Sequence, residues 1–274
     1  MSNPDYVLGH ADREIERLKA QNFLIGPFTR HFFQLAGIGP GMHLLDVGSG
    51  AGDVAILAAD LVGPSGSVTG VDIAATAIAL ARARTRSLGL AQVSFRHGDP
   101  GELTFDRPFD AIVGRYVLMF QADAAAMLRR LAKHLRPGGV IVFHEPDWSF
   151  VRSTPPAPLY DRCCQRIVDV FDRVGTSTNM SAKLHQAFVN AGLQPPAMRM
   201  QAVIGGPAAA ADWVTAVAEL TITLLPTMQR EGVVTAADNA EMAADTLADR
   251  MRRECVASNS VVVGRAEIGA WSKV

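Results

Sequence analysis

A glycine-rich turn between an apolar strand and a helix is the sequence feature that most restricts the fold. Residues 44–52 read L-L-D-V-G-S-G-A-G, and a helical pattern begins at Asp53. Glycines allow the backbone to turn sharply and to approach a ligand without an intervening side chain. The helix that follows offers unpaired amide groups and the positive end of its dipole. The pattern predicts a strand–turn–helix unit with a ligand site at the turn.

Apolar runs of the length typical of buried parallel strands alternate with helical patterns through the middle of the chain. The predicted strands are His43–Val47, Ser67–Val71, Val93–His97, Ala111–Gly114 and Val140–His144. The predicted helices are Asp53–Leu61, Ala74–Leu88 and Ala124–Leu135, the last ended by R-P-G-G at 136–139. This order indicates an α/β fold with a parallel sheet.

The two ends of the chain are mainly helical. Residues 1–36 show helical spacing of apolar side chains. After a proline-rich loop at 154–158, the predicted elements are helices at 159–174 and 181–191, a strand at 198–204, and helical segments from residue 207, with Pro226 as a kink or stop. T-x-x-D at 235–238 has the form of a capping box for a last helix. The chain closes on a strand, Val261–Gly264 or Ala266–Trp271.

Carboxylates lie at the strand ends that face the predicted ligand site. Asp46, two residues before Gly48, is poorly suited to a pyrophosphate and suits a ligand with an ammonium and a sulfonium group. Asp72 ends the second strand and can accept hydrogen bonds from two vicinal ribose hydroxyls. Asp99 follows the third strand and can accept from an adenine amino group. Asp110, at the opposite end of the fourth strand, is expected to be structural.

Composition and net charge limit the classes of binding partner that we expect. Hydrophobic residues make up 49% of the 274 and charged residues 19%, so the chain can bury a substantial core. Lys and Arg number 26 against 27 Asp and Glu, a net charge of −1. That balance gives no electrostatic reason to expect a nucleic acid or an anionic membrane as partner. A small-molecule substrate fits best, and a homodimer is compatible with the sequence.

Cysteine usage and hydropathy give three further expectations. The cysteines are Cys163, Cys164 and Cys255, an odd number without metal-ligand spacing, which suits a reducing compartment. No apolar run approaches the ~18 residues that span a bilayer, and residues 1–18 lack the apolar stretch of a secretory leader. We therefore expect no metal site, no membrane span and a cytoplasmic location.

Five motifs in order resemble the class I S-adenosylmethionine-dependent methyltransferases. They are D-V-G-S-G-A-G at 46–52, V-D at 71–72, G-D at 98–99, F-D-A-I-V-G-R at 109–115 and L-R-P-G-G at 135–139. The resemblance covers residues ~42–145. The N-terminal segment, with Tyr6, Gly9, His10 and Glu14, is similar to that of the ubiquinone/menaquinone-type small-molecule branch. The resemblance implies a Rossmann-like, seven-stranded, mostly parallel sheet, whose last two strands are Met198–Ile204 and the C-terminal strand.

The same resemblance implies a domain organisation. The expected parts are an N-terminal helical cap over 1–36, a cofactor-binding core over 37–148, and the remainder of the core over 149–274. Helical insertions at 149–178 and 207–255 fall after strands five and six and are expected to form a lid over an acceptor pocket.

The resemblance also implies roles for individual residues in binding S-adenosylmethionine and its product S-adenosylhomocysteine. The expected cofactor residues are Asp46, Gly48, Ser49, Gly50, Gly52, Asp72, Ile73, Asp99, Pro100 and Arg115. Asp46 and the glycines would shape the methionine and ribose pocket, and Ile73 and Pro100 would flank the adenine. Arg115 stands where the family usually has a small residue.

Methyl transfer requires an aligned acceptor atom and, for a hydroxyl or acidic carbon, removal of a proton. His144 and Glu145 follow the fifth strand and are the candidate bases. The candidate acceptor-pocket residues are Tyr6, His10, His31, Tyr116, Trp148 and Trp213. The expected lid would line the pocket with apolar side chains, namely Trp148, Phe150, Trp213, Leu220, Leu224 and Met228. Such a lining predicts a hydrophobic or aromatic metabolite, methylated on oxygen, nitrogen or carbon.

Three other functions share part of this sequence pattern. A nicotinamide-dependent oxidoreductase is disfavoured because the spacing is G-x-G-x-G and because Asp46 precedes it. A nucleic-acid or protein methyltransferase is disfavoured because neither an N-P-P-Y-type motif nor a basic stripe is present. A protein that uses the cofactor for a rearrangement or cyclisation in natural-product biosynthesis stays open, since its cofactor pocket would look the same.

Overall fold

The computed structural model describes residues 11–242 and 246–274. The chain divides into two compact units. The first, here called the sheet unit, comprises 26–146, 179–200 and 267–274. The second, the helical unit, comprises within the described residues 11–25, 147–178, 201–242 and 246–266.

The elements follow one another in this order along the chain. The first half contains α1 (Ala11–Leu35), β1 (His43–Val47), α2 (Asp53–Val62), β2 (Ser67–Asp72), α3 (Ala75–Ser87), β3 (Val93–His97), β4 (Phe109–Arg115) and α4 (Ala124–Ala132). The second half contains β5 (Leu135–Asp147), β6 (Arg152–Thr154), α5 (Pro158–Arg173), α6 (Met180–Asn190), β7 (Ala197–Gly205), α7 (Ala211–Arg230), α8 (Ala236–Met242), α9 (Leu247–Ala257) and β8 (Val261–Lys273).

The sheet unit is built on strands in the order β3-β2-β1-β4-β5-β8. The pairs β1–β2, β2–β3, β1–β4 and β4–β5 are all parallel. Chain order reverses between β1 and β4, and ligands of open α/β sheets bind at such a switch, at the carboxyl ends of the strands. The glycine turn follows β1 directly, so it lies at this edge. The predicted α/β class with a parallel sheet is confirmed.

Apolar side chains from both faces of the parallel strands form the core of the sheet unit. Leu44, Ala111, Val113 and Val142 are fully buried. They pack with the inward side chains of α2, such as Ala55 and Ala58. The strands read as continuous apolar runs because both of their faces are covered.

The segment L-R-P-G-G belongs to a strand, not to the end of a helix. The sequence predicts a helix through Leu135, but α4 ends at Ala132 and β5 begins at Leu135. Leu135 pairs with Phe109 of β4, and a Cβ on Gly139 would lie 3.1 Å from the carbonyl oxygen of Asp110. Close pairing with β4 therefore overrides the helical pattern, and glycine is needed where the two backbones approach.

The helical unit packs α5, α7 and α9 around a separate core. Buried members include Tyr160, Trp213, Val217 and Met251. The Trp213 Nε1–H donates to the Tyr160 hydroxyl at 2.8 Å, which satisfies both polar groups inside this core. Helix α7 continues past Pro226 to Arg230, so the proline does not stop it.

β6 is an eighth strand among the described residues, one more than predicted. It is three residues long and pairs antiparallel with Val261–Val263 of β8. The C-terminal strand is one continuous element from Val261 to Lys273, where the sequence left two alternatives open.

Among the described residues, no helix is both long and apolar enough to cross a membrane. The described part of the chain also contains no grouping of three or more His, Cys, Asp or Glu side chains suited to a metal ion.

Candidate cofactor and acceptor sites

The glycine turn after β1 has a backbone that requires glycine. Gly48, Gly50 and Gly52 have φ angles of 64°, 50° and 87°, in the left-handed region that side chains disfavour. A Cβ on Gly48 would also lie 2.9 Å from Cγ2 of Val117. The turn is therefore close-packed against the segment that follows β4, and it leads straight into the N-terminus of α2.

Asp72 ties the glycine turn to the end of β2. Its Oδ2 accepts from the Gly50 N–H at 2.9 Å, and its Oδ1 accepts from the Ala74 N–H at 2.8 Å. The neighbouring Ile73 side chain is 56% exposed, although it is large and apolar. The end of β2 thus presents a carboxylate beside an exposed apolar surface.

Asp46 is a buried carboxylate without a hydrogen-bond partner. Its side chain is fully buried, and neither oxygen has a partner. The Ser49 hydroxyl, in the glycine turn, is likewise buried and unpartnered. Burial raises the pKa of Asp46 well above its usual value, the charges of Asp72 and Asp53 add to this, and that of Arg115 opposes it. Such an arrangement is costly unless a ligand supplies the missing donors.

The end of β3 carries the third carboxylate. Asp99 is exposed, and its Oδ1 accepts from the Gly101 N–H at 2.7 Å. Pro100 is buried next to it. His97 Nε2 lies 3.0 Å from the carbonyl oxygen of Ile73, so the ends of β2 and β3 are joined.

His144 lies in a buried polar network of the sheet unit. Its Nδ1 is 3.0 Å from the Thr29 hydroxyl, and its Nε2 is 2.8 Å from Oε2 of Glu267. All three side chains are at most 1% exposed. The Tyr116 hydroxyl donates to the same Glu267 oxygen at 2.7 Å, and Arg115 donates to the Thr29 hydroxyl at 3.2 Å.

Glu145 holds the segment after β4. Its Oε1 accepts from the Val117 and Leu118 N–H groups at 2.9 and 2.7 Å, and its Oε2 accepts from Met119 at 3.2 Å. Burial raises the pKa of Glu145 to about 7, although the three backbone donors oppose the shift. The carboxyl group fixes a short 3₁₀ helix, Leu118–Phe120, by binding its N-terminal amides.

The helical unit contains a cavity of about 240 Å³. Its aromatic walls are the buried Trp148 and Trp213, whose ring centroids are 6.1 Å apart. The guanidinium carbon of Arg265 lies 5.4 and 5.5 Å from these two rings. Val217 and Leu220 of α7 add apolar surface to the lining, and Asp212, Thr215 and Glu219 of the same helix add polar groups.

The remaining predicted residues are distributed as follows. His31 is exposed on α1. Tyr6 and His10 lie outside the described residues. Asp110 accepts from the His43 N–H at 2.7 Å and pairs with Arg136 at 2.6 Å, at the opposite end of the strands from the glycine turn. The sheet unit brings together Asp46, Asp72 and Arg115, and the helical unit brings together Trp148 and Trp213.

Sequence reasoning missed Thr29, Glu267 and Arg265. Glu267 and Arg265 carried a usable signal: both are charged residues within the apolar strand β8, and both are buried there. A buried charge is costly unless it is paired or contacts a ligand, so a charged residue within an apolar strand indicates an ion pair or a ligand contact. Thr29 gave no signal, because nothing in its sequence context distinguishes it from a surface helix residue.

Residues 38–192 match the family described as Methyltransferase domain. This match covers more than half of the chain and includes the glycine turn, Asp72, Asp99 and the strands that carry them. The chain belongs to this methyltransferase family.

Two curated relatives illustrate the similarity. The arsenite methyltransferase of Aquipseudomonas alcaligenes is 40% identical over 113 residues, which are 38% of this chain and 33% of that protein. The ubiquinone/menaquinone biosynthesis C-methyltransferase UbiE of Shewanella sp. is 29% identical over 181 residues, covering 61% of this chain and 72% of that protein. The chain spans between a third and a half of the length of three curated methyltransferase relatives it matches at 33–40% identity.

A solved structure shares the fold over the whole chain. It is Haemonchus contortus Phospholethanolamine N-methyltransferase 2 in complex with phosphomonomethylethanolamine and S-adenosylhomocysteine. The TM-score is 0.60 at 15% identity, covering 100% of this chain and 60% of the other. At that identity the likeness concerns the fold.

Proposed function

We propose that this protein transfers the methyl group of S-adenosylmethionine to a small hydrophobic or aromatic molecule. One observation carries the proposal: a buried, unpartnered Asp46 stands directly before a glycine turn that Asp72 ties to the next strand. Membership of the methyltransferase family supports it.

The residues of the sheet unit fit this cofactor. A ligand ammonium group would give Asp46 the hydrogen-bond donors that it lacks. Asp72 would accept from the ribose hydroxyls, and Asp99 from the adenine amino group, beside the exposed side chain of Ile73. When bound, the cofactor supplies a methyl group already activated by its sulfonium. A pyrophosphate would instead meet the carboxylate of Asp46, which disfavours a dinucleotide.

We propose the cavity of the helical unit as the acceptor site. Its volume of about 240 Å³ suits a molecule of one or two rings, and its Trp148 and Trp213 walls favour an aromatic or otherwise apolar acceptor. Since the donor is already activated, the main task of the protein is to align the acceptor and exclude water.

The surroundings of His144 and Glu145 favour positioning roles for both. His144 is fully buried with protein partners at both ring nitrogens. Both Glu145 oxygens accept backbone hydrogen bonds. A base that acts on an acceptor must reach its proton directly or through one water, and the protein partners of both groups support a structural role for them.

We also infer a cytoplasmic protein without a nucleic-acid partner. The free cysteines Cys163, Cys164 and Cys255 suit a reducing compartment such as the cytoplasm. The near-balanced charge of −1 supports the inference that no nucleic acid is bound. A mobility-shift assay at low salt checks it, and salt-sensitive retention of DNA or RNA would contradict it.

Calorimetric titration tests the cofactor. Micromolar binding of S-adenosylmethionine and S-adenosylhomocysteine is expected, with no binding of NAD. Asp72→Ala should abolish binding, whereas Asp60→Ala is the matched control, since Asp60 is an exposed surface residue paired with Arg30. Binding of NAD in place of the sulfur ligands would refute the proposal.

A second experiment tests methyl transfer itself. The protein is incubated with methyl-labelled S-adenosylmethionine and a panel of phenols, quinols and hydrophobic amines, and labelled products are identified by mass. Label in a product is the expected result. A product that forms only with cofactor present but carries no label would indicate the rearrangement or cyclisation alternative.

A further inference from the structure

Arg115 and Asp46 lie on the same face of the sheet, at its carboxyl edge. Asp46 pairs in parallel register with Val113, and Val47 pairs with Gly114. Because side chains alternate along a strand, Arg115 shares the face of Val113 and Asp46, about 7 Å further along β4. The charge of Arg115 acts on Asp46, whose pKa it lowers against the larger effect of burial. A carboxyl group and a guanidinium therefore lie on the same face of the sheet next to the glycine turn.

Thr29 and Tyr116 both contact the Arg115 guanidinium. It donates to the Thr29 hydroxyl at 3.2 Å, and its central carbon lies 5.8 Å from the ring centroid of Tyr116. Both contact residues are tied to the same buried pair. Thr29 meets His144 at 3.0 Å, and Tyr116 meets Glu267 at 2.7 Å, while His144 and Glu267 are joined at 2.8 Å. The contacts form a closed ring that begins and ends at Arg115.

The hydrogen-bond directions in this ring are mutually consistent. A guanidinium only donates, so the Thr29 oxygen accepts from Arg115, and the Thr29 hydroxyl can donate its own proton to Nδ1 of His144. In that arrangement a neutral imidazole carries its proton on Nε2 and donates it to Glu267. Glu267 accepts from His144 and Tyr116 alike, which matches the acceptor-only chemistry of a carboxylate.

The backbone of Tyr116 shows that this geometry is imposed. Its φ is 57°, a left-handed conformation that is uncommon for a residue with a large side chain. Its N–H donates to the His144 carbonyl at 2.9 Å, and its hydroxyl is held by Glu267. Strained residues of this kind concentrate at functional sites, where surrounding contacts fix them.

We propose that Arg115 binds the carboxylate of the amino-acid end of the cofactor while Asp46 binds its ammonium group. The inference rests on the proposed function and deepens it. A guanidinium has five N–H donors in a planar fork, so it can hold a protein hydroxyl and a ligand carboxylate together. Thr29, His144, Glu267 and Tyr116 are positioning residues for this arginine. Two opposite charges on one sheet face recognise a zwitterion, which few other adenosine ligands carry.

A comparison of two ligands tests the inference. S-adenosylhomocysteine carries the amino-acid end, whereas 5′-methylthioadenosine keeps the adenosyl thioether and lacks that end. Calorimetric Kd values are measured for both ligands with the wild type, Arg115→Gln and Arg115→Lys. Arg115→Gln should weaken S-adenosylhomocysteine binding by about 10- to 100-fold, the range for a lost charged hydrogen bond, and leave 5′-methylthioadenosine unchanged. Arg115→Lys, which keeps the charge without the fork, should lie between.

Thr29→Val tests the positioning network with almost no change in side-chain volume. This variant should weaken the binding of S-adenosylhomocysteine by several-fold without affecting 5′-methylthioadenosine, since Arg115 remains but loses its hydrogen bond to Thr29. Arg136→Gln is the matched control, because Arg136 pairs with Asp110 at the far end of the strands, and neither ligand should respond. Thermal unfolding of every variant shows whether the fold is retained.

Two outcomes would overturn the inference. One is an equal loss of affinity for both ligands in Arg115→Gln, which would mean that the substitution disrupts the whole pocket. The other is unchanged S-adenosylhomocysteine binding in that variant. Failure of the proposed function looks different, because the wild type itself would then bind neither ligand.

Discussion

Gly48 shows how a single hydrogen atom decides the packing of the glycine turn. Its φ of 64° alone disfavours a side chain, and Cγ2 of Val117 occupies the space where a Cβ would stand. Gly50 has a similar φ of 50°, but nothing lies within 4 Å of its Cβ position. A side chain at Gly50 would therefore meet backbone strain alone, whereas a side chain at Gly48 would meet backbone strain and a steric conflict with Val117.

We predict that Gly48→Ala lowers the free energy of unfolding more than Gly50→Ala does. Both variants incur the left-handed backbone penalty of about 1 kcal/mol, and only the first adds overpacking of about 1–3 kcal/mol. Chemical denaturation measures both values. In a Val117→Ala background the extra cost of Gly48→Ala should disappear, and equal losses for the two single variants would contradict the packing explanation.

Glu145 gives the sheet unit a pH dependence of defined sign. The pKa of Glu145 is raised by burial to about 7, above the ordinary value of 4.5 that applies to the unfolded chain. Between these values the folded state binds more protons, so the stability contributed by this group falls as the pH rises. The expected loss from pH ~4.5 to pH ~7 is on the order of 3 kcal/mol.

The measurement is the difference in unfolding free energy between wild type and Glu145→Gln across this pH range. Glutamine cannot ionise, so the variant should lack this part of the slope, while the effect of Asp46 and other groups is common to both proteins. Parallel curves for the two proteins would show that Glu145 does not titrate in this window.

At the scale of helices and strands, the sequence predicted the elements that depend on a local pattern of apolar residues. The strands β1 to β4 were predicted to within about two residues, and the central strands β1 and β4 were the plainest, because strands buried on both faces have near-continuous apolar runs. The pattern at Leu135 was misinterpreted, since its pairing with Phe109 depends on a residue 26 positions away. The ring through Thr29, His144 and Glu267 could not be predicted for the same reason, as it joins α1, β5 and β8.

Helix α8 has a capping box that the sequence predicted at Thr235 and Asp238. The Thr235 hydroxyl accepts from the Asp238 N–H at 3.1 Å, and Asp238 Oδ2 accepts from the Thr235 N–H at 3.0 Å. Thr235→Ala should destabilise this helix by about 1 kcal/mol. Hydrogen exchange of the α8 amides measures the change, and Thr235→Ser, which keeps the hydroxyl, should exchange like the wild type. Unchanged exchange in Thr235→Ala would show that the box does not hold the helix.

At the scale of the whole molecule, the two units carry different chemistry. The sheet unit holds the carboxylates and glycines suited to the cofactor, and the family resemblance from sequence covers most of it. The helical unit holds the aromatic cavity, for which the sequence indicated Trp148, Trp213 and Leu220 as lining. Helical patterns give no information on which apolar side chains line a cavity and which fill a core, so the full lining and the volume of about 240 Å³ required the structure.

This division predicts that cofactor binding and acceptor binding respond to different substitutions. Ala216 on α7 lines the cavity, and phenylalanine there should fill it. Ala208→Phe is the matched control, because Ala208 is exposed in the same unit and does not line the cavity. We use 2-naphthol as an aromatic probe, detected by quenching of tryptophan fluorescence, since two of the three tryptophans of the chain form the cavity walls. Quenching should be lost in Ala216→Phe and kept in Ala208→Phe.

The affinity for S-adenosylhomocysteine shows whether a loss of 2-naphthol quenching in Ala216→Phe is confined to the cavity. If the acceptor binds in the helical unit, Ala216→Phe keeps the wild-type Kd for S-adenosylhomocysteine, because the cofactor residues belong to the sheet unit. Arg115→Gln should show the opposite pattern: weaker binding of S-adenosylhomocysteine and normal quenching of tryptophan fluorescence by 2-naphthol. Quenching that survives in Ala216→Phe would place the aromatic site elsewhere. Joint loss of both ligands in that variant would instead mean that the substitution disturbs the fold beyond the cavity.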